Sequence, residues 1–405
     1  MPAGNRILMT TGKDKQNKQL KILIINYEYP PLGGGGGVAT ADLALEWIKS
    51  GQVDVLTSSY KDLASYEVIN GINIYRARIF FRKSRDAATF ISMLSYIITG
   101  FIKGFKLCRV NRYDVINTHF ALPSGPLGYL LSKIFRIPNV LSLHGGDIYD
   151  PSKKMSPHKS FIFRKVVRFI LNRADRIVAQ STNTRDNAIG FYNPVKDVEI
   201  IPLAFHPPAV KKASRKMLNL QDDVFYLITV GRLIKRKSIE TMLQALGQIK
   251  NNRIKLLIIG DGPEKGRLMD MAADLGLDQR VQFPGYVSGD DKFRYLAVSD
   301  LFILTSLHEG FGIVFMEAMN AGLPIVATNH GGQVDLLKHN ENALLIDVGD
   351  VNACRDAILR FVRDKTFYKK CSSNNKKRIR NYRADTVAKE YLKIFRELTA
   401  PGKSE

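Results

Sequence analysis

Residues 305–332 read TSLHEGFGIVFMEAMNAGLPIVATNHGG, a stretch that places two glutamates around a glycine turn. The apolar run at 301–305 predicts a strand before the turn, and the pattern at 314–320, stopped by a glycine and a proline, predicts a helix after it. Glu309 then lies in a loop at the carboxyl end of a strand, and Glu317 lies on the helix behind that loop. In an open parallel sheet, ligands bind in this crevice.

The turn also supplies donors for an anion. The backbone N–H groups of Phe311, Gly312 and Ile313 open the helix and lack partners within it, which suits a phosphate. A carboxylate accepts two hydroxyl donors at once, as a ribose diol or a hexose would offer. The combination predicts a ligand with both phosphate and hydroxyls, such as a sugar nucleotide. The alternative is a capped helix with solvated glutamates.

The segment from Ser306 to Val326 resembles the signature of the retaining glycosyltransferases of family four, S-x-x-E-G-F-G…E-A-M-x-x-G-x-P-V, with Asn320 and Ile325 as mild departures. The resemblance implies an α/β protein with the GT-B fold, in which two doubly wound Rossmann-like domains face a central cleft. It also implies transfer of a hexose from a nucleotide diphospho-sugar with retention of configuration. No carboxylate stands out as a nucleophile. The family's usual proposal is front-face attack, with a donor phosphate oxygen taking the proton.

Two cations lie in the segment TVGRLIKRKSIETM (229–242), which follows an apolar strand. Arg232 and Lys237 are five residues apart across a strand-to-helix turn, so both can reach one diphosphate. The family pattern is G-R-L-x-x-x-K-G, and this chain has Ser238 where glycine is usual. The alternative is a basic, solvated turn, since Lys235 and Arg236 in the same turn are also cationic.

The segment HGGDIYD (144–150) follows another apolar strand, so His144 and Asp147 are predicted to project into the cleft. The pattern resembles the family's H-G-x-D. It implies that His144 lies near the transferred sugar and its C6 hydroxyl, and that Asp147 lies close by on the acceptor side. The alternative is a structural histidine at a strand end.

Five consecutive glycines, Gly33–Gly37, lead into a helix predicted to start near Val38. Such a loop lets backbone N–H groups close on an anion. The resemblance places Gly36 and Gly37 facing the donor phosphates and the acceptor. The loop also formally fits G-x-G-x-x-A, with an aspartate twenty residues past Gly34, which would indicate an NAD-type oxidoreductase. A Rossmann turn is tight, whereas this loop begins several residues past its strand, after two prolines.

The resemblance further implies that the backbone at Val287, in FPGYVSGDDK (283–292), contacts the nucleotide base, that Glu317 holds the ribose and that Glu309 holds the hexose hydroxyls. The predicted catalytic residues are His144, Asp147, Arg232, Lys237 and Glu309. The predicted donor-binding residues are Gly36, Gly37, Arg232, Lys237, Val287, Glu309, Phe311, Gly312, Ile313 and Glu317.

Composition sets the wider class. With 405 residues, about two domains of 200 residues are expected. Three scattered cysteines predict neither disulfides nor a zinc site, and fit a reducing, cytoplasmic location. The sequence has no D-x-D pair for a divalent metal, so we expect no metal and no cofactor: Arg232, Lys237 and two helix N-termini would stabilise the leaving diphosphate instead.

The net charge of +22 is concentrated in the first half, which has 28 basic and 15 acidic residues up to residue 205. Arg76–Arg112 carries +8 and Pro151–Arg176 carries +7. Such segments indicate an anionic partner, either a membrane surface or nucleic acid. The chain lacks an aromatic-rich RNA-binding strand or other recognition motif, which disfavours nucleic acid. A generally basic, solvated surface is the other alternative.

The membrane interpretation predicts peripheral docking at the inner face of the plasma membrane. The charge-poor stretch Ala87–Ile102 has sixteen residues, and a spanning helix needs about twenty, so spanning is not expected. The acceptor would be a sugar, a glycolipid or a lipid-linked sugar used in cell-envelope polysaccharide or glycolipid synthesis.

Alternating strand and helix patterns predict parallel sheets in both halves. The segment FHPPAVKKASRK, with two prolines, is the best linker candidate. The predicted division is a disordered tail at 1–20, an acceptor-side domain at 21–204, a linker at 205–216, a nucleotide-sugar-binding domain at 217–383, and a C-terminal helix at 384–405 that packs back on the first domain.

Overall fold

The computed structural model describes residues 19–61, 63–82, 89–153, 155–208, 213–287 and 289–400. Its strands form two sheets, one in each half of the chain, and helices flank both. The predicted tail at 1–20 lies outside the described residues up to residue 18. Its last residue, Leu20, is buried and begins the first strand, so the tail prediction is wrong at that position.

The first sheet has eight strands: β1 (Leu20–Asn26), β2 (Gly51–Ser58), β3 (Tyr66–Ile69), β4 (Ile72–Ala77), β5 (Val115–His119), β6 (Asn139–Leu143), β7 (Arg176–Ala179) and β8 (Val198–Ile200). Their order is β3-β4-β2-β1-β5-β6-β7-β8. The central strands β5 and β6 are buried along their whole length and β1 at every residue but Lys21, as expected of a parallel sheet covered by helices.

The expectation of a wholly parallel sheet fails at one edge. Strand β3 pairs antiparallel with β4 through a hairpin that turns at Asn70 and Gly71, both with positive φ. This short strand, Tyr66–Ile69, is largely exposed, and it was not predicted from the sequence.

The second sheet has six parallel strands: β9 (Phe225–Val230), β10 (Ile254–Ile259), β11 (Val281–Gly285), β12 (Leu301–Leu304), β13 (Ile325–Thr328) and β14 (Ala343–Ile346). Their order, β11-β10-β9-β12-β13-β14, is that of a Rossmann fold. The predicted α/β architecture with two doubly wound domains is therefore confirmed.

The helices are α1 (Gly35–Trp47), α2 (Phe90–Val110), α3 (Ser124–Phe135), α4 (Phe161–Arg173), α5 (Thr182–Tyr192), α6 (Ile239–Gly247), α7 (Lys265–Asp274), α8 (Gly289–Val298), α9 (Ile313–Ala321), α10 (Gln333–Leu336), α11 (Val351–Arg363), α12 (Lys365–Arg378) and α13 (Ala384–Thr399).

Each sheet has one point where the strand order reverses. The glycine loop lies at one of these points, and the loop containing Glu309 lies at the other. In the first sheet β1 lies between β2 and β5, and in the second β9 lies between β10 and β12. Ligands of open α/β sheets bind in the crevice beyond the carboxyl ends of such strands. The glycine loop follows β1, and the loop containing Glu309 follows β12, so each lies at a reversal point.

The chain crosses between the domains twice, and the two crossings pair. The Phe205 amide donates to the Tyr382 carbonyl, and the Ala384 amide donates to the Phe205 carbonyl, both at 2.9 Å. Phe205, the first residue of the predicted linker, is buried at this crossing. Residues 209–212 of the same prediction lie outside the described residues.

Helix α13 packs on the first domain. Trp47, at the end of α1, meets the rings of Tyr391 and Phe395 at 5.5 and 5.1 Å between centroids. The Tyr391 hydroxyl lies 3.1 Å from the Ser142 hydroxyl of β6. The apolar stripe of this helix therefore closes one face of the first sheet.

Helix α2 is longer than the charge-poor stretch, and its 21 residues are long and apolar enough to cross a membrane. The length argument against spanning therefore does not hold. The packing of α2 gives a different argument against spanning. Tyr96 is fully buried and donates to the Leu56 carbonyl, while Gly100 and Gly104 lie against Leu127 and Leu131 of α3. One face of α2 is thus part of the core of the first domain.

Candidate active site

The glycines after β1 form the first turn of a helix. Helix α1 begins at Gly35, three residues before the predicted start at Val38, and Gly34 is its N-cap. Gly36 and Gly37 are therefore helical, not parts of a loose loop. Gly34 also donates its amide to Glu28 at 3.1 Å. The Gly37 amide donates to the Gly34 carbonyl at 3.1 Å, whereas the amides of Gly35 and Gly36 lie too early in the helix for an intrahelical acceptor, which suits an anion.

A second helix N-terminus faces the first. Helix α9 begins at Ile313 with Gly312 as its N-cap, at φ +92°, a conformation that favours glycine. A Cβ at Gly35 would lie 2.8 Å from Cγ2 of Ile313, so the two helix starts touch across the cleft. Phe311, just before the turn, is buried with the core of the second domain. Both helix dipoles thus direct positive potential towards the same place.

Loops of the two domains also meet beside these helix starts. The Ser181 hydroxyl of the first domain donates to the Gly310 carbonyl of the second at 2.8 Å. A Cβ at Gly145 would lie 2.9 Å from the Gly310 Cα, and Gly145 has φ +81°, so only glycine fits there without strain. The loop that follows His144 therefore contacts the loop that follows Glu309.

Glu309 lies in a cationic cluster. Lys237 Nζ donates to its Oε1 at 2.8 Å, and Arg236 lies 3.2 Å from its Oε2. Arg236 also donates to the His308 carbonyl and lies 3.9 Å from Asp150 of the first domain. Sequence reasoning left Arg236 in a solvated turn, because its contact with Glu309 joins residues 73 positions apart.

Burial alone would raise the pKa of Glu309, but the Lys237 ammonium and the Arg236 guanidinium beside it lower that pKa to about 2. The carboxylate is therefore ionised at neutral pH although Glu309 is buried. An ionised carboxylate is an acceptor only, which suits the hydroxyl groups of a sugar.

Arg232 and Lys237 lie on the same turn after β9 but differ in exposure. Arg232 is exposed, while Lys237 is buried and its Cε lies close to Gly231. Ser238, which replaces the usual glycine, is at φ +46° and caps α6 with its backbone rather than its hydroxyl. The helix begins at the next residue, Ile239.

Glu317 lies on α9 and is buried. Its Oε1 accepts from Lys292 at 2.6 Å, whereas its Oε2 has no hydrogen-bond partner among the described residues. Burial raises the pKa of Glu317, and Lys292 opposes that rise. One buried carboxylate oxygen therefore remains available to a hydroxyl donor. Val287 follows β11, is half-buried and packs against the core of the second domain.

His144 and Asp147 lie close together but differ in what they face. Asp147 Oδ1 accepts from the His144 amide at 3.0 Å, and its Oδ2 accepts from the Ala121 amide at 2.6 Å. Both carboxylate oxygens of Asp147 thus accept hydrogen bonds from backbone amides, so Asp147 stabilises the turn that contains His144. The His144 ring lies against Gly36, where a Cβ would come within 3.0 Å of Nδ1. Its Nε2 lies 2.9 Å from Nδ1 of His119, a residue that sequence reasoning missed.

The described residues include no group of three or more His, Cys, Asp or Glu side chains arranged to hold a metal ion. The site contains two helix N-termini, the cations Arg232, Arg236 and Lys237 of one turn, and two buried glutamates. This arrangement can bind an anionic group beside hydroxyls.

Comparison with known proteins agrees with this chemistry. Residues 33–207 match the family described as Glycosyltransferase Family 4, and residues 210–378 match Glycosyl transferases group 1. The glycosyltransferase MJ1607 of Methanocaldococcus jannaschii, whose function is uncharacterised, is 29% identical over 93% of this chain and 98% of its own. The alpha-monoglucosyldiacylglycerol synthase of Streptococcus pneumoniae is 26% identical over 77% of this chain and 71% of its own.

Among solved structures, HepE of Anabaena, crystallised with UDP and glucose, superposes with a TM-score of 0.77 at 23% identity and covers 93% of this chain and 100% of its own. The fold and the site thus define a glycosyltransferase of the GT-B class. The chain belongs to glycosyltransferase family 4, in its group 1. The NAD-type oxidoreductase alternative, drawn from the glycine loop, is set aside by this membership.

Proposed function

We propose that this enzyme transfers a hexose from a nucleotide diphospho-sugar, with retention of configuration and without a metal ion, to a sugar, glycolipid or lipid-linked acceptor of the cell envelope. The observation that carries the proposal is the meeting of two helix N-termini, at Gly35 and Ile313, beside the ion pair of Lys237 and Glu309. That space would offer hydrogen-bond partners to both an anion and a polyhydroxylated group.

The diphosphate would lie at the start of α9, with Arg232 and Lys237 beside it. An ammonium has three N–H donors, and the bond to Glu309 uses one of Lys237's. The remaining donors can follow the charge that develops on the leaving diphosphate. Stabilising that charge by preorganised cations lowers the barrier without a metal.

Glu309 would hold the hexose. Its oxygens offer about four lone-pair sites, and Lys237 and Arg236 engage one oxygen each. Since its pKa is held near 2, Glu309 accepts sugar hydroxyls across the physiological pH range. Glu317, with Oε2 unpartnered, would accept a ribose hydroxyl.

The names of the relatives support the substrate classes. The pneumococcal relative is named for synthesis of a glucosyl diacylglycerol, and the HepE structure contains UDP and glucose. Both fit a nucleotide-sugar donor, and the first fits a lipid acceptor.

Helices α2 and α4 form an exposed apolar surface on the first domain, which we call the α2/α4 face. It consists of Phe90, Ile91, Leu94, Ile98 and Ile102 of α2 and of Phe161, Ile162 and Phe169 of α4. The rings of Phe90 and Phe163 approach to 6.1 Å, which joins the two helices. Lys165 lies over Phe161, and Arg173 lies over Phe169.

Apolar side chains flanked by cations suit the headgroup region of an anionic membrane. We propose that the first domain docks there through the α2/α4 face, which brings a lipid-linked acceptor to the cleft. Each cation near such a surface contributes about 1 kcal/mol. The enzyme would then work at the inner face of the plasma membrane, in the cytoplasm.

The test is slow hydrolysis of a panel of nucleotide diphospho-sugars by the purified chain, followed by calorimetry of the best donor with wild type and Glu317→Gln. We expect one donor to be hydrolysed, with the freed sugar first appearing in the donor's anomeric configuration by NMR, and activity to persist in EDTA. Glu317→Gln should bind that donor about tenfold more weakly, for a loss of about 1.4 kcal/mol. Hydrolysis of none of the donors would refute the proposal. Loss of activity in EDTA with rescue by magnesium would refute its metal-free part.

A further inference from the structure

Two histidines from neighbouring strands share one hydrogen bond beneath the glycine helix. His119 ends β5 and His144 follows β6, and Nδ1 of His119 lies 2.9 Å from Nε2 of His144. Two unprotonated ring nitrogens would repel each other at this distance, so one of them must carry the hydrogen. The nitrogen that carries this hydrogen decides whether His144 offers the cleft a hydrogen-bond donor or an acceptor.

The direction of the hydrogen bond between the two histidines follows from a series of hydrogen bonds that starts at the backbone amide of Glu28. The Glu28 amide donates to Asn26 Oδ1 at 2.9 Å, so the Asn26 Nδ2 group faces away and donates to Thr40 Oγ1, also at 2.9 Å. Thr40 in turn donates its hydroxyl hydrogen to the Gly36 carbonyl at 2.8 Å. A hydroxyl has one hydrogen, so Thr40 has none left to give.

His119 Nδ1 also lies 3.2 Å from Thr40 Oγ1. Because Thr40 can only accept there, His119 carries its hydrogen on Nδ1, shared between Thr40 Oγ1 and His144 Nε2. The other nitrogen of His119, Nε2, is buried and has no partner among the described residues. That atom is then a lone pair rather than an unsatisfied donor, which is consistent with this tautomer.

His144 Nε2 is consequently an acceptor, and a neutral imidazole with an accepting Nε2 carries its hydrogen on Nδ1. Burial keeps the ring neutral, because it lowers the pKa of His144 to about 3. Nδ1 of His144 is itself buried, has no partner among the described residues and lies beside Gly36. A buried N–H without an acceptor costs free energy until an oxygen reaches it.

We propose that His119 is a positioning residue that holds His144 in its Nδ1–H tautomer, so that His144 offers a hydrogen-bond donor to an oxygen of the bound donor substrate beside Gly36. The consequence for catalysis rests on the proposed function, whereas the tautomer does not. An oxygen of the sugar and an oxygen of the diphosphate have the same acceptor chemistry here.

The direct test is NMR of the full chain labelled with ¹⁵N-histidine, at neutral pH and without substrate. Correlations between ring nitrogens and ring carbon-bound hydrogens distinguish a protonated from an unprotonated nitrogen, and loss of one signal set in His144→Asn assigns that residue. We expect Nδ1 of His144 and Nδ1 of His119 to be protonated. A protonated Nε2 on His144 would overturn the proposal, whatever the enzyme's activity.

Two variants separate the tautomer from packing. His119→Asn keeps an N–H near the Nδ1 position but leaves unfilled space, whereas His119→Leu fills the space and keeps no donor. We expect His119→Asn to retain kcat within about threefold, and His119→Leu to lose at least about tenfold in kcat with little change in KM. A packing role predicts the opposite order. Thr40→Ser, which keeps the hydroxyl, should behave as wild type in both NMR and kinetics.

If the chain acts on no nucleotide sugar, the proposed function fails while the NMR measurement still decides the tautomer. If hydrolysis is observed and His144 carries its hydrogen on Nε2, the proposed function stands and the role of His119 does not.

Discussion

Lys237 Nζ donates to Oε1 of Glu309 at 2.8 Å, and both side chains are about nine-tenths buried, at 11% and 8% exposed. The pair joins the turn after β9 to the loop after β12, the two strands that flank the reversal point of the second sheet. The cation proposed to bind the diphosphate and the carboxylate proposed to bind the sugar therefore fix each other's position before any substrate arrives. Such preorganisation spares the enzyme the reorganisation of its dipoles during the reaction.

Removing either Lys237 or Glu309 should lower the stability of the folded protein. We expect Glu309→Gln to lower the free energy of unfolding by about 3–5 kcal/mol, since it leaves the buried Lys237 ammonium without a counter-charge. Lys237→Met should cost less, since Glu309 keeps Arg236. The double variant should lose clearly less than the two losses combined, as measured by urea denaturation. The exposed pair of Arg253 and Asp223 is the control, with a coupling of about 1 kcal/mol or less. Additive losses at Lys237 and Glu309 would contradict their coupling.

Arg236 and Lys235 are adjacent cations with different surroundings, which makes them a matched pair. Arg236 contacts Glu309, whereas Lys235 is exposed. We expect Arg236→Ala to lower kcat/KM for donor hydrolysis by about 10- to 100-fold, or about 1.4–2.8 kcal/mol, because Glu309 loses one of its two cations. Lys235→Ala should stay within about twofold. Equal effects of the two substitutions would mean that only net charge matters.

Gly36 and Gly34 test the contact between the glycine helix and His144. A Cβ at Gly36 would lie 2.9 Å from Phe120 Cζ and 3.0 Å from His144 Nδ1, whereas a Cβ at Gly34 would meet nothing within 4 Å. We expect Gly36→Ala to reduce turnover at least about tenfold while the fold survives, since alanine favours a helix by about 1 kcal/mol. Gly34→Ala should remain active. Full activity of Gly36→Ala would show that this space is not used.

The α2/α4 face should decide binding to vesicles. Ile98 and Ile162 are 65% and 70% exposed, and full burial of such a side chain is worth about 1.5–3 kcal/mol. We expect the wild type to float with phosphatidylglycerol vesicles, less so as salt is raised, and hardly with neutral vesicles. Ile98→Ser with Ile162→Ser should lose at least about tenfold in affinity.

The control for the vesicle experiment is Met269→Ser on α7 of the second domain, where the side chain is 47% exposed. It should bind as the wild type does. Absence of the wild type from both kinds of vesicle would remove the membrane from the proposal and favour a soluble acceptor.

Stability should fall in acid partly because of the buried histidines. Burial lowers the pKa of His144 to about 3 and that of His119 well below its ordinary value of 6.5. The folded state then binds fewer protons than the unfolded chain below pH 6.5, so the stabilisation present above that pH is lost as pH falls, with a slope of at most about 1.4 kcal/mol per pH unit for each residue.

Urea denaturation at pH 7.5 and pH 5 measures this loss. We expect His119→Asn to lose less stability than the wild type between the two pH values, and His330→Asn, at an exposed position, to lose as much as the wild type. A larger acid loss in His119→Asn would contradict a neutral, buried His119. The pH profile of kcat should also lack a step from His144 between pH 5 and 8.

The buried strands and the glutamate loop could be predicted from the sequence because their signals are local. An apolar run such as Leu20–Asn26 has to be buried on both faces of a sheet, and the glycine turn before Ile313 determines where the next helix begins. The exposed edge strand at Tyr66–Ile69 was missed, although three of its four residues are apolar. The start of α1 was placed too late because glycine is a weak helix former, and the contact of Gly35 with Ile313 was not visible.

By itself, the sequence determined the fold class, the family and the segments from which the site is built, because apolar periodicity and glycine turns act over a few neighbouring residues. Only the tertiary structure decided how those segments meet: that Arg236 contacts Glu309, that Asp147 holds backbone, and that His119 lies beneath His144. These pairings join residues from 25 to 73 positions apart. Their geometry depends on how neighbouring strands bring their carboxyl ends together, which the spacing of residues along the chain does not encode.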